Sequence, residues 1–125
     1  MATRARLDIK VITPAVGAIA EGVDLGAVLD ADCVALIRRA VLDRGVVFFR
    51  DQAIGREQMR AFLKNFGQLA TDPFSVAALQ PLAEEHAVHD MPTYGNSRAT
   101  AVWHMDSTLA PEPAALLALR AVELG

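Results

Sequence analysis

Gly45-Val46-Val47-Phe48-Phe49-Arg50-Asp51-Gln52, followed after Ala53-Ile54-Gly55 by Arg56 to Phe66, is the stretch on which the fold turns. Its first part is short, β-branched and aromatic, the composition of a buried strand, and Asp51 and Gln52 mark the exit. The second part has a different period. Met59, Phe62, Leu63 and Phe66 stand at i, i+3, i+4 and i+7, while Arg56, Glu57, Arg60 and Lys64 occupy the other side. That spacing predicts an amphipathic helix, and Gly67 is the residue expected just past its end.

Working back from Gly45, Arg44-Gly45 closes an earlier helix that runs to about Asp43, with Asp30 or Asp32 as its N-cap. Val34, Ile37 and Val41 share one face, with Cys33 and Ala40 beside them, and Arg38 and Arg39 point elsewhere. Before the helix, residues 7–12 alternate apolar and polar with the period of a half-buried strand. Thr13-Pro14 interrupts it, because proline brings no donor to a continuing ladder. A second strand is expected within Val16 to Ala20, and Gly22 supplies a turn or bulge before Val23-Asp24-Leu25.

Working forward, Asp72-Pro73 and Pro81 break the chain, Ala87-Val88 reads as strand, and Pro92 to Arg98 reads as loop. Ala101 to Asp106 is short and extended, and Ala114 to Leu119 is apolar enough for a buried strand. Helices alternating with strands would suit a parallel α/β sheet, yet no Gly-rich phosphate loop follows any strand. The later half is strand and loop without helix. The pattern therefore predicts an α+β domain in which two early helices support a β-structure.

Bulk composition excludes several classes. The 125 residues make one modest core, and 12 basic against 15 acidic residues give a formal net charge of −3 with no long block of either sign. Without a basic stripe interleaved with aromatics, nucleic acid is not an expected partner. The charged opening has no apolar segment behind it, so no secretory signal is expected, and no stretch approaches the roughly 20 apolar residues of a membrane span. The single cysteine, Cys33, cannot form an internal disulfide and fits a reducing, cytoplasmic setting. Hydrophobic residues make up 53% of the chain and mean hydropathy is +0.27. For a chain this short, that richness hints at apolar surface covered by something else.

Trp103-His104-Met105-Asp106 carries the chemistry. Side chains at i and i+2 of a strand leave the same face about 7 Å apart at the backbone. His104 and Asp106 can thus aim an imidazole nitrogen and a carboxylate oxygen at one ion. A further histidine would complete the two-histidine, one-carboxylate triad of non-haem iron(II), which leaves three positions open. The spacing alone is weak. Three histidines and nine aspartates in 125 residues would produce a His-x-Asp about one time in five by chance. The bland alternative is a half-buried polar histidine and a loop-starting carboxylate. His86 and His89, three apart on a strand, would face opposite ways and read as surface or strand histidines.

Five blocks in order add to that spacing. Thr13-Pro14-x-x-Gly17-Ala18, Glu21-Gly22-Val23-Asp24-Leu25, Gly45 to Gln52, Phe66-Gly67-x-Leu69 and Trp103-His104-x-Asp106 resemble the amino-terminal signatures of the TauD/TfdA family, that of taurine dioxygenase. The likeness runs from about residue 9 to the last residue. It implies that His104 and Asp106 are the first two ligands of Fe(II), with 2-oxoglutarate as cosubstrate and a small organic molecule as substrate. It also implies a double-stranded β-helix, a jelly-roll of which residues 1–125 hold the two helices and the first strands, the carboxy-terminal half lying elsewhere. A Gly-Gly-Asp-Thr segment, the second histidine ligand and an arginine for 2-oxoglutarate would follow Gly125, so no cosubstrate-binding residue is expected within the chain.

Where taurine dioxygenase places a histidine, a tyrosine and an asparagine around the sulfonate, this sequence offers Asp72, Ser75 and Thr100. A carboxylate repels a sulfonate in a dry pocket, so taurine itself is not the expected substrate. Asp72 can equally be a turn residue before Pro73. Two expectations stand together: an Fe(II)/2-oxoglutarate dioxygenase by ancestry, and a 125-residue chain that is by itself inactive and either self-associates or needs a partner. A homo-oligomer stays open.

Overall fold

The Thr13-Pro14 interruption becomes a short connection between two antiparallel strands, β1 (Asp8–Val11) and β2 (Ala18–Glu21). The computed structural model describes residues 7–69, Trp103, Met105 and 111–121. Thr13 holds the connection through its hydroxyl, which accepts from the Val16 N–H at 3.0 Å and donates to the Val16 carbonyl at 2.6 Å. Gly17 closes it with φ +91°, a conformation side chains disfavour, and Ile12 N–H donates to its carbonyl at 3.0 Å.

Past β2 the chain passes through Gly22 and the buried Val23 and Leu25 into helix α1 (Ala31–Arg44). Asp30 is its N-cap, accepting from Cys33 N–H at 2.7 Å. Gly45 ends it at φ +73°, donating its N–H to the Val41 carbonyl at 2.8 Å. Strand β3 (Val47–Phe49) then returns parallel to β2. Among the described residues the sheet order is β1-β2-β3, so α1 is the crossover of a parallel β2-α1-β3 unit.

Register explains the core. Ile9, Ala20 and Phe49 align across the sheet, as do Val11, Ala18 and Val47, while Lys10, Ile19 and Phe48 alternate to the other face. Helix α1 packs on β2 and β3, and Ala18 and Ala20 beneath it are 0% and 3% exposed. Its seam is Cys33, Ile37 and Ala40 rather than Val34, Ile37 and Val41, which places the buried face one residue earlier than the apolar pattern suggests. The physical reason is size. The small Cys33 and Ala40 let the helix approach a strand floored with alanine, and the β-branched valines are left half-buried on the flanks.

Helix α2 (Arg56–Lys64) begins where the Gln58 side chain accepts from Gly55 N–H at 2.7 Å. Met59 and Phe62 are buried, with Leu63 and Phe66 half-buried beside them. Phe62 meets Phe49 edge-on at 5.6 Å between ring centroids and Phe66 at 5.2 Å. Asn65, not Gly67, closes the helix: its side-chain amide donates to the Phe62 carbonyl at 2.9 Å. Arg38 of α1 donates to the Phe66 carbonyl at 2.7 Å and lies 5.8 Å from that ring centroid, tying the two helices together.

Two expectations are corrected. Strand β3 is half-buried rather than well buried, with Phe48 47% exposed, because β3 stands at the margin of the described sheet. Ala114 to Leu119 is not a strand; Leu117 and Leu119 are 63% and 79% exposed. An apolar run names no ladder partner, and without one it has no reason to be extended and covered. The chain divides into two compact units, Met1–Gly67 and Gln68–Gly125. The elements above lie in the first. Among the described residues no helix is long and apolar enough to cross a membrane.

Candidate metal centre

All five sequence-predicted site residues, His104, Asp106, Asp72, Ser75 and Thr100, lie outside the described residues, as do His86, His89 and the stretches 87–88 and 92–98. The structure therefore neither brings them together nor separates them. What it describes of the motif is the alternate pair: Trp103 is fully exposed and Met105 is 75% exposed. Strand alternation would turn both away from the His104/Asp106 side to pack a sheet, yet neither is covered.

The donor chemistry still constrains the metal. An imidazole nitrogen and a carboxylate oxygen are donor types that suit non-haem iron(II), and His104 and Asp106 carry those two types. Among the described residues no group of three or more His, Cys, Asp or Glu side chains is placed to hold a metal.

Cys33 is not an activated nucleophile. Cys33 is buried at the first turn of α1, and loss of water raises its thiol above the ordinary value, with the Asp30 carboxylate adding to the effect. Because the folded value is the higher one, the unfolded chain loses this proton first. Stability from Cys33 is intact below the ordinary thiol value and falls as pH rises through it toward the folded value. Alkylation of Cys33 near pH 8 is expected to be slower in the native chain than in urea. Equal rates would mean that the thiol is not buried.

One residue was underread in the sequence. Gln52 marks the exit of β3, but its side chain also reaches back 27 residues. It accepts from Leu25 N–H at 2.9 Å and donates to the carbonyls of Val23 at 3.1 Å and Arg50 at 2.9 Å. Gln52 thereby pins the Glu21-to-Leu25 block to the Gly45-to-Gln52 block. Gln52→Ala leaves part-buried groups unpaired and is expected to cost about 1–3 kcal/mol in urea unfolding. Gln52→Glu keeps the acceptor for Leu25 but sets a carboxylate oxygen against the Val23 and Arg50 carbonyls, so it is expected to destabilise as well; no loss in either variant would remove the clamp.

The ordered blocks are matched from outside as well. The model of the family described as taurine catabolism dioxygenase TauD, TfdA family, matches residues 8–125. The chain belongs to the TauD/TfdA family. The likeness expected from about residue 9 onward therefore holds over nearly all of the sequence. A crystal structure provisionally designated an alpha-ketoglutarate-dependent taurine dioxygenase from Burkholderia xenovorans is 39% identical, with a TM-score of 0.51, over 53% of this chain and 24% of its own. A taurine dioxygenase from the same organism is 44% identical, with a TM-score of 0.49, over 50% of this chain and 22% of its own. A third structure, AAD-2 in complex with Mn(II) and N-oxalylglycine, is 31% identical, with a TM-score of 0.48, over 50% of this chain and 24% of its own. The matches thus span about a quarter of the length of these structures.

Proposed function

We propose that residues 1–125 are the amino-terminal part of a single Fe(II)- and 2-oxoglutarate-dependent dioxygenase domain that oxidises a small organic substrate. The observation that carries this reading is the His104-x-Asp106 pair standing inside the 8–125 family match. His104 would donate an imidazole nitrogen and Asp106 a carboxylate oxygen to the iron, leaving one protein ligand to come from elsewhere. When bound, iron and 2-oxoglutarate supply the oxidising power that places one oxygen atom of O2 on the substrate and the other in succinate, with release of carbon dioxide. Asp72, Ser75 and Thr100 are the proposed substrate contacts. A carboxylate at Asp72 disfavours a sulfonate and favours a neutral or cationic group, so taurine is not the proposed substrate. The double-stranded β-helix belongs to the same proposal, with the β2-α1-β3-α2 unit as its helical support.

The test begins with the coding region immediately downstream of Gly125. An in-frame Gly-Gly-Asp-Thr segment with a later histidine and arginine, and iron-dependent succinate release by the longer product, would bear the reading out. Loss of that release in His104→Ala and Asp106→Ala is expected. A stop codon in the natural gene, or succinate release that ignores both substitutions, would end it.

A second reading concerns the behaviour of the 125-residue chain by itself. Phe48, on β3 at the margin of the described sheet, is 47% exposed and Val46 just before the strand is 39% exposed, which favours a chain that self-associates or needs a partner. Sedimentation velocity is expected to show an average mass that rises with concentration. A monomer at all concentrations up to about 100 μM, well above the micromolar range where exposed edges associate, would overturn it.

A further inference from the structure

We draw no further inference here: the strongest candidate, the apolar open face of the sheet around Ile19, Val46 and Phe48, carries nothing because nothing in the structure shows what covers it.

Discussion

Supplied with Fe(II), 2-oxoglutarate and oxygen, the 125-residue chain is expected to release no succinate above the uncatalysed background. The argument is one of donor count. On the proposed assignment His104 and Asp106 would provide two ligands where the triad needs three, and the described residues hold no group of three His, Cys, Asp or Glu side chains placed for a metal. Losing a residue that merely orients a ligand typically weakens metal binding about 10–100-fold. Losing a ligand outright is expected to cost at least that much. A cosubstrate must then bind to a metal that is itself barely held. Anaerobic titration with Mn(II), followed by its electron paramagnetic resonance, separates the two steps without turnover. Weak binding that disappears in a His104→Ala, Asp106→Ala double variant is expected. Iron-dependent succinate release by the chain alone would refute the donor-count argument directly.

Ile37→Ala is expected to be among the most destabilising single truncations in the described part of the first unit. Ile37 is 1% exposed and is the largest fully buried side chain among the described residues. It sits at the centre of the α1 seam, between Cys33 and Ala40. Cutting it to a methyl group removes transfer energy and leaves a cavity, together about 2–5 kcal/mol. A core of this size rarely supplies more than about 3–5 kcal/mol net, so helical circular dichroism at 25 °C is expected to fall sharply. Leu42→Ala is the control. Leu42 lies on the same helix but is 72% exposed, and its truncation is expected to change stability by about 0.5 kcal/mol or less. Equal losses from the two substitutions in urea unfolding would mean that α1 does not bury the Ile37 face.

The candidate site was legible in outline only. His104-x-Asp106 is visible as a pair, because strand geometry makes i and i+2 neighbours whatever the rest of the chain does. Spacing cannot separate a metal ligand from a half-buried polar residue. The order of five blocks points toward the ligand reading; the family match over residues 8–125 bears on that order and not on the role of either residue. Substrate identity was not legible for a different reason. Asp72, Ser75 and Thr100 contact a substrate only if residues far apart in sequence converge, and no local pattern encodes convergence.

What the sequence by itself determined is what depends on neighbours within a turn or two. An aspartate cap at Asp30 or Asp32, the Gly45 stop, the amphipathic run from Met59 to Phe62 and the break at Thr13-Pro14 all follow from local sterics and hydrogen bonding. Tertiary structure alone decided the rest. Strand β3 lies parallel to β2 because α1 carries the chain back across the sheet, which no period in residues 47–49 announces. The seam of α1 falls on Cys33, Ile37 and Ala40 because the alanine floor of β2 rewards close approach, a fact about another element. Gln52 looks like an exposed exit residue until Val23 and Leu25 are folded against it. Helix and strand periods report which face is apolar, but burial and pairing energies depend on what that face meets, and that is settled only when distant segments pack.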